Sequence, residues 1–289
     1  MRIEGVFSKI EDLIGQKITG FKSISGGSIA TSNQIRFEDG KYAFLKTDPY
    51  DDTMFFKEAN GLKEIHKTEC IRAPKVLLVD SDLLLLEFIE EGRKDKDFFS
   101  RFGFQMANLH RKTSSKFGFK ENNFIGATPQ TNIAIKTEAT NWCDFYYNKR
   151  LLYQYELAES NGLVGNELKN GFLILESRIE EILEGSEEKP SLLHGDLWSG
   201  NFLCDQQSNP CIMDPAVYYG HREADLAMTK LFGGFPDEFY RAYQKENPLP
   251  QGFDYRENIY LLYHVLNHLN LFGNSYYGQA VRLVWSYLH

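Results

Sequence analysis

The segment LLHGDLWSGNFLCD, residues 192–205, holds a His, an Asp and an Asn between two apolar runs. Their spacing, His-x-Asp-x-x-x-x-Asn, matches the catalytic loop of the protein-kinase template, in which the Asp orients the acceptor hydroxyl and the Asn binds a metal ion. Polar side chains that merely cap a turn are the alternative. We expect Asp196 to act as the base, Asn201 and the later Asp214 to bind Mg²⁺, and His194 to hold the loop by a hydrogen bond.

A lysine on a predicted strand and a glutamate on a predicted helix precede this loop, in the order that the template requires. Lys46 ends the second strand of a hairpin predicted from the turn pair Asp39-Gly40. Glu58 lies twelve residues further on, in a helix predicted over 53–68 from its apolar spacing. Either residue could be an ordinary surface charge. Their order favours a nucleotide site in which Lys46 contacts phosphates and pairs with Glu58.

Two further segments are expected to contact the nucleotide. The loop SISGGSIATS, residues 23–32, lacks the full GxGxxG spacing, and the sequence contains no GxxxxGK[ST] motif. It still offers a close backbone approach and hydroxyl donors to phosphate, although a plain surface turn would look the same. The run LLLLEFIEEG, residues 83–92, is expected to be a hinge whose backbone bonds to the adenine edge. The predicted cofactor contacts are therefore Gly26, Gly27, Ser28, Glu87, Phe88 and Ile89, together with Lys46 and Glu58.

The periodicity of the chain changes near Glu90-Glu91-Gly92. The part before this point reads as strands with one main helix, and from residue 97 the apolar residues recur at helical spacing. We predict an α+β, bilobal, protein-kinase-like fold, with a small antiparallel-sheet lobe over 1–90 that binds nucleotide and a larger, mainly helical lobe over 91–289 that carries the catalytic loop. The helices predicted in the second lobe cover 97–113, 139–160, 167–184, 222–232, 235–246 and 254–271, with a hairpin over 201–214.

The composition excludes several classes of protein. With 289 residues and a net charge of −8, the chain is long enough for two cores and too acidic to favour nucleic acid as a partner. The first residues contain no apolar signal segment, and no run approaches the ~18 apolar residues of a membrane span. We therefore expect a cytoplasmic protein that has neither a nucleic-acid nor a membrane partner. The sequence does not indicate the oligomeric state, and a monomer is the default expectation.

Cysteine and histidine spacings give no metal site. The four cysteines lack zinc-type spacing and are expected to be reduced. Cys204 and Cys211 flank the predicted 201–214 hairpin and could face each other, with buried inert thiols as the favoured interpretation. His264 and His268 stand four residues apart on a predicted helix but lack a third ligand, so they are expected to be structural.

Four segments carry a resemblance to a known family: LLHGDLWSGN, DPAVYYGHREADLAM, LFGGFPDEFYRAY and FGFKENNFIGATPQTN. Nearly the whole chain resembles the fructosamine-kinase, or ketosamine-3-kinase, family, a branch of the protein-kinase-like fold related to aminoglycoside and choline kinases. The resemblance implies ATP- and Mg²⁺-dependent phosphorylation of the sugar 3-hydroxyl of a ketosamine, free or on a glycated protein, after which the unstable adduct releases the amine. The sugar could be ribulose, erythrulose or fructose.

The resemblance also bears on single residues. Asp225, in READLAM, would brace the catalytic loop, with an ordinary helix-end carboxylate as the alternative. Asp214 is followed by Pro215-Ala216 instead of the Phe-Gly of protein kinases, which favours a small-molecule kinase. Some family members carry a redox-sensitive cysteine in the Gly loop; this chain has none there, so that property is not carried over.

The acceptor pocket is expected to involve the Asn- and aromatic-rich stretch 117–132 and later aromatic residues, because ring faces pack on sugar C–H surfaces and amides bond to hydroxyls. The predicted residues are Asn122, Asn123, Trp142, Tyr218 and Tyr219, each of which could equally serve loop or core packing. Two other functions stay open. One is phosphotransfer to an aminoglycoside, choline or another amino alcohol, and the other is a non-catalytic, nucleotide-binding pseudokinase.

Overall fold

The computed structural model describes residues 3–24 and 30–287, so the predicted cofactor residues Gly26, Gly27 and Ser28 lie outside the described residues. The N-terminal lobe consists of α1 (Ile3–Ile14), β1 (Ile18–Ser23), β2 (Thr31–Phe37), β3 (Tyr42–Thr47), α2 (Met54–His66), β4 (Val76–Val79) and β5 (Leu83–Glu87). Its strands form one antiparallel sheet in the order β1-β2-β3-β5-β4.

The predicted Asp39-Gly40 turn joins β2 to β3. Gly40 has φ +83°, a conformation that glycine adopts without steric cost. In the resulting register Lys46 lies opposite Ser32 on one side and Leu84 on the other. The hairpin prediction is confirmed, and it places the lysine on the central strand of the sheet.

The leucine run of β5 is buried on both faces of the sheet. Leu83 and Leu85 belong to the core formed with α1, whereas Leu84 and Leu86 belong to the core on the side of α2. Successive residues of a strand point to opposite faces, so only a strand covered on both sides can bury four leucines in a row. The run therefore requires a helix on each face.

The second of these helices, α1, is absent from the sequence-based prediction of one main helix in this lobe. It buries only Val6 and Ile10 among its twelve residues. Phe7 and Ile14 also pack against this core, and the apolar residues of α1 recur at helical spacing, so the sequence does contain the pattern of an amphipathic helix. The small lobe thus has two helices instead of one.

The C-terminal lobe is mainly helical. Its elements are α3 (Phe98–His110), β6 (Asn123–Ile125), β7 (Thr128–Gln130), α4 (Trp142–Tyr146), a π-helical segment (Tyr147–Leu152), α5 (Tyr153–Ser160), α6 (Asn166–Leu183), β8 (Ser191–Leu193), β9 (Phe202–Cys204), β10 (Pro210–Ile212), β11 (Tyr218–Gly220), α7 (Glu223–Met228), α8 (Asp237–Glu246), α9 (Phe253–Phe272) and α10 (Tyr277–Trp285). Each predicted helix is present, and the predicted 201–214 hairpin is β9–β10. The α10 helix and the pairs β6–β7 and β8–β11 are not predicted from the sequence.

The β8–β11 pair determines where the catalytic loop lies. The register joins Leu193 to Tyr218, so the strands enclose all of residues 194–217. Strands of three residues, such as β8 and β11, are too short to show the alternation that identifies a strand in sequence. The loop that carries the predicted base and both predicted metal ligands therefore starts and ends at one place.

The predicted hinge contacts the β9–β10 hairpin. Gly92 N donates to Cys204 O at 2.8 Å, and a Cβ at Gly92 would lie only 2.3 Å from Asp205 O. This contact brings the end of the small lobe against the hairpin that follows the catalytic loop. Within residues 3–24 and 30–287, no helix has the length and apolarity needed to cross a membrane.

Candidate active site

Lys46 joins carboxylates from both lobes. Its Nζ lies 2.8 Å from Glu58 Oε1 on α2 and 2.7 Å from Asp214 Oδ1 in the C-terminal lobe. Burial alone would lower the pKa of Lys46, but the charges of Asp214 and Glu58 outweigh it, and the pKa lies above its ordinary value. The lysine is therefore a charged group held in place between the lobes.

His194 is completely buried and orders the catalytic loop from within. Its Nε2 lies 3.0 Å from Met213 O, and its Nδ1 lies 3.3 Å from the backbone N of Asp196. A carbonyl can only accept and an amide N–H can only donate, so the ring is neutral with its hydrogen on Nε2. Burial also lowers the pKa of His194, which favours the same neutral form.

Gly195 allows the loop to approach the segment after Asp214. Its φ is +83°, and a Cβ at this position would lie 2.1 Å from Ala216 O. Ala216 N in turn donates to His194 O at 2.9 Å. Only glycine fits here, which explains why the residue between His194 and Asp196 is not the arginine of the protein-kinase template.

Asp225, on α7, accepts hydrogen bonds from the backbone of the catalytic loop. Its two carboxylate oxygens lie 2.7 Å from His194 N and 2.8 Å from Gly195 N, and Oδ2 lies 3.1 Å from His110 Nε2. Burial alone would raise the pKa of Asp225, but these donors outweigh it and the pKa is lowered. The carboxylate is thus ionised, fully bonded and fixed beneath the loop.

Asp196 and Asn201 are in direct contact. Asn201 Nδ2 donates to Asp196 O at 2.8 Å and to Asp196 Oδ2 at 2.9 Å. Burial raises the pKa of Asp196 to about 7, with a smaller contribution from the charges of Asp214 and Asp225. A carboxylate with a pKa near neutrality is a better proton acceptor than an ordinary aspartate.

The oxygens of Asn201 and Asp214 suit Mg²⁺. Among the described residues, no hydrogen-bond donor contacts Asn201 Oδ1 or Asp214 Oδ2, and the Asp214 side chain is 43% exposed. Mg²⁺ prefers a few hard oxygen ligands from protein and takes the others from phosphate and water. The described part of the chain has no cluster of three or more His, Cys, Asp or Glu that could hold a metal ion alone. The donor set therefore fits a metal ion that is shared with a phosphorylated ligand.

The predicted hinge residues differ in what their backbones can still bond. Glu87 N already donates to Lys75 O at 2.8 Å, and the Glu87 carboxylate lies 2.8 Å from Arg72 Nη2. In contrast, the backbone groups of Phe88 and Ile89 bond to no other main-chain group within the described ranges. These two residues keep the donor and acceptor that an adenine edge would need, while the N–H of Glu87 does not.

The two predicted substrate amides differ: Asn122 is exposed and bonded through its oxygen only, whereas Asn123 is buried. Asn122 Oδ1 accepts from the backbone N of Asn132 at 2.8 Å. Asn123 is buried; its Nδ2 donates to Val217 O at 2.9 Å, and its Oδ1 accepts from Gln130 Nε2 at 2.8 Å. Asn123 therefore fastens the β6–β7 hairpin to the segment after Asp214, and its amide is not available to a sugar.

Two of the predicted substrate aromatics lie in the core. Trp142 is only 5% exposed and stacks on His221 with ring centroids 4.5 Å apart. Tyr218 is 2% exposed and lies 4.0 Å from the buried guanidinium of Arg150. Neither ring has a free face for a sugar, because core packing covers both. Tyr219 is half-buried, and its hydroxyl donates to Glu64 Oε1 at 3.2 Å.

A set of aromatic residues outside the predicted acceptor residues adjoins the catalytic loop. Trp198, two residues after Asp196, meets Phe232 edge-on at 5.5 Å, and Phe232 lies 5.2 Å from His268. We call this set, with two further rings that contact His268, the aromatic patch; its members are Trp198, Phe232, His268, Phe272 and Tyr276. Phe232 is 44% exposed and Phe272 is 49% exposed. The patch unites three distant segments, which is why no local motif indicates it.

Two cysteines and two histidines lie at positions where the sequence leads to separate expectations, namely the β9–β10 hairpin and the helix α9. Cys204 lies opposite Pro210, and Cys211 lies opposite Leu203, so the two thiols point to opposite faces of the hairpin and do not face each other. Both are free and buried, and burial raises the pKa of Cys211 to about 12. His264 is buried, whereas His268 belongs to the aromatic patch.

Comparison with known proteins identifies the family. The family model described as fructosamine kinase matches residues 3–289. The chain belongs to the fructosamine kinase family. A probable ketoamine kinase from Synechocystis is 37% identical over 96% of this chain and 94% of its own length. A chloroplastic protein-ribulosamine 3-kinase from Arabidopsis thaliana is 38% identical over 94% of this chain and 83% of its own length.

The fold of this fructosamine kinase family member also recurs in solved structures. A putative fructosamine-3-kinase from Thermobifida fusca superposes with a TM-score of 0.89, at 28% identity, and covers 98% of both chains. Aminoglycoside phosphotransferases share the fold alone, at 13% to 15% identity. The predicted α+β, two-lobed, kinase-like fold is thereby confirmed, while the domain boundary near residue 90 stays a prediction.

Proposed function

We propose that this family member transfers the γ-phosphoryl group of ATP to the sugar 3-hydroxyl of a ketosamine. One observation carries the proposal: Lys46, Glu58 and Asp214 meet within hydrogen-bond distance, and the loop between β8 and β11 that holds Asp214 also holds Asp196 and Asn201 in contact. A cation for phosphates, two oxygen ligands for a metal and a carboxylate base are the parts that phosphoryl transfer needs.

Each residue has a role that follows from its surroundings. Lys46, held between two carboxylates, would bind the phosphates of ATP, and the free backbone of Phe88 and Ile89 would bond to adenine. Asn201 and Asp214 would hold Mg²⁺, which when bound neutralises charge that develops on the phosphate oxygens. Asp196 would orient the acceptor hydroxyl and take its proton late in the transfer, because a loose transition state asks little of base strength.

The aromatic patch is the proposed acceptor surface. Trp198 lies in the catalytic loop itself, and the exposed rings of Phe232 and Phe272 extend the apolar surface away from Asp196. Aromatic faces pack on the C–H surface of a sugar and also attract cations. Both properties suit a ketosamine, which joins a sugar to an amine. Phosphorylation at the 3-hydroxyl makes the adduct unstable, so the amine is released and glycation is reversed.

The test is ADP release with Mg²⁺ and ATP over a panel of acceptors. The panel contains synthetic ribulosamines, erythrulosamines and fructosamines, with kanamycin and choline as acceptors of the competing functions. Asp196→Asn is the matched blank, because it removes the base while the asparagine can still contact Asn201. We expect turnover on ketosamines only, and we expect the blank to lose it by orders of magnitude while it still binds ATP.

Each other outcome points to a different function. Turnover on kanamycin or choline alone would keep the phosphotransfer mechanism and refute the ketosamine acceptor. ATP binding without turnover on any member of the panel would favour a pseudokinase. Full turnover in Asp196→Asn would show that Asp196 is not the base.

A further inference from the structure

One face of α2 is bonded to the C-terminal lobe. Lys57, Asn60, Gly61 and Glu64 stand at positions i, i+3, i+4 and i+7, which places them in one stripe along the helix. Glu58 lies beside this stripe and reaches Lys46 at 2.8 Å. The orientation of α2 about its own axis therefore sets both groups of contacts at once.

Glu121 bonds to the first half of the stripe. Its Oε2 lies 2.6 Å from Lys57 Nζ, and its Oε1 lies 2.8 Å from Asn60 Nδ2. Burial alone would raise the pKa of Glu121, but the bonds from Lys57 and Asn60 outweigh it and the pKa is lowered. The carboxylate is thus ionised, and both of its oxygens are bonded to the helix turn that contains Glu58.

The segment after Asp214 contacts the second half of the stripe. A Cβ at Gly61 would lie 3.3 Å from Val217 Cγ2 and 3.5 Å from Pro215 Cγ, so the helix backbone packs directly on this segment. Further along, Tyr219 OH donates to Glu64 Oε1 at 3.2 Å. The helix that carries Glu58 and the loop that carries Asp214 are therefore joined by contacts that do not involve Lys46.

We propose that Glu121 is a positioning residue that holds α2 in the orientation in which Glu58 and Asp214 both reach Lys46. In protein kinases the corresponding helix moves, and phosphorylation of an activation loop controls its position. Here the residues that follow Asp214 pack on α2 at Gly61, and Glu121 forms an ion pair with Lys57 of the same helix. The lysine is thereby kept ready for the nucleotide without any covalent modification. This proposal rests on the proposed function only in assigning the phosphates of ATP to Lys46.

A charge exchange tests it. Lys57→Glu and Glu121→Lys each bring like charges together, whereas the double variant restores an ion pair of reversed direction. The readouts are the affinity for Mg·ATP without acceptor, measured by titration calorimetry, and the KM for ATP compared with kcat. We expect each single variant to weaken nucleotide affinity about tenfold, and the double variant to recover most of it. Glu121→Gln, which can keep the bond from Asn60, is the milder variant and should weaken affinity about threefold.

The matched control is Glu138→Gln. Glu138 forms a similarly buried ion pair with Lys149 at 3.2 Å, but this pair lies entirely within the C-terminal lobe. It should lower thermal stability and leave nucleotide affinity unchanged. Unchanged affinity in both single variants and in Glu121→Gln would overturn the proposal, as would an equal loss in the Glu138→Gln control. Failure of the wild type on every ketosamine, with these nucleotide effects intact, would refute the proposed function and leave the role of Glu121 supported.

Discussion

Replacement of Asp225 by asparagine should uncouple the catalytic loop from the core of the large lobe. The carboxylate accepts three hydrogen bonds, from His194 N at 2.7 Å, Gly195 N at 2.8 Å and His110 Nε2 at 3.1 Å. An asparagine keeps the size of the side chain but offers one acceptor oxygen and an NH₂ group. In either orientation that NH₂ group faces the backbone N–H of His194 or Gly195, which can only donate, so no hydrogen bond forms there.

The size of the effect follows from this mismatch. A buried hydrogen bond to a charged group contributes about 1.5–3 kcal/mol, and an unsatisfied buried donor costs about 1–3 kcal/mol. One lost bond and one orphaned N–H together should lower the free energy of unfolding by about 3–5 kcal/mol, a large part of the 5–15 kcal/mol that is usual for a domain. Because the loop would also shift by a fraction of an ångström or more, turnover should fall about a hundredfold.

Glu223→Gln is the control that separates stability from positioning. Glu223 lies on the same helix, is 1% exposed, and binds Arg256 through two bonds of 2.8 Å and 2.5 Å. Loss of that buried ion pair should cost a similar free energy of unfolding, about 3–5 kcal/mol, without contact to the catalytic loop. Urea unfolding gives the stability of both variants, and steady-state turnover is measured at a temperature where both remain folded. Wild-type turnover in Asp225→Asn, or an equal loss in Glu223→Gln, would refute the assignment of Asp225 as the brace of the loop.

Three further predictions concern the nucleotide, the base and the acceptor. Lys46→Met should raise the KM for ATP and lower kcat at least tenfold, as steady-state kinetics would show, because it removes a buried cation that bonds to Glu58 in one lobe and Asp214 in the other. The kcat/KM for the acceptor should rise with pH and level off above about 7, since burial raises the pKa of Asp196 to about 7 and only the ionised form accepts a proton. A value of kcat/KM that stays constant between pH 5.5 and 8.5 would contradict this prediction. Phe232→Ala should raise the KM for a ketosamine about tenfold with little change in the KM for ATP, because an exposed ring of the aromatic patch is lost. The backbone strain at φ +59° is the same for alanine as for phenylalanine. An unchanged KM for the ketosamine would show that Phe232 is not part of the acceptor surface.

The charged part of the site could be predicted because each of its residues sits at a local sequence signal. Lys46 follows a hairpin turn, Glu58 lies in an amphipathic helix, and Asp196 and Asn201 share one loop between apolar runs. Their mutual distances require the whole fold, but their order along the chain does not. The same holds for the main helices, whose periodic apolar faces span three or more turns.

The acceptor side could not be predicted in the same way. The prediction of Trp142 and Tyr218 rests on their residue type alone, yet aromatic rings are more often core residues than ligand contacts, and both are buried. The aromatic patch depends on the meeting of the catalytic loop, the turn after α7 and the end of α9, which no local pattern reveals. The helix α1, in contrast, has the apolar spacing of an amphipathic helix, with Val6, Phe7, Ile10 and Ile14 on the core, so the sequence does indicate it.

The contacts of Gly195 and Gly61 show why the catalytic loop and α2 act as one unit. Gly195 brings the base-bearing turn within van der Waals distance of Ala216, and Gly61 brings α2 against Val217, one residue later. A single extended segment after Asp214 is therefore packed between the turn that holds Asp196 and the helix that holds Glu58. A side chain at Gly195 would clash with the Ala216 backbone and displace the segment that begins at Asp214, whereas a Cβ at Gly61 would require the Val217 side chain to yield by only a few tenths of an ångström. The spacing of the charged groups thus depends strongly on Gly195 and weakly on Gly61, two uncharged residues whose contribution is the absence of a side chain.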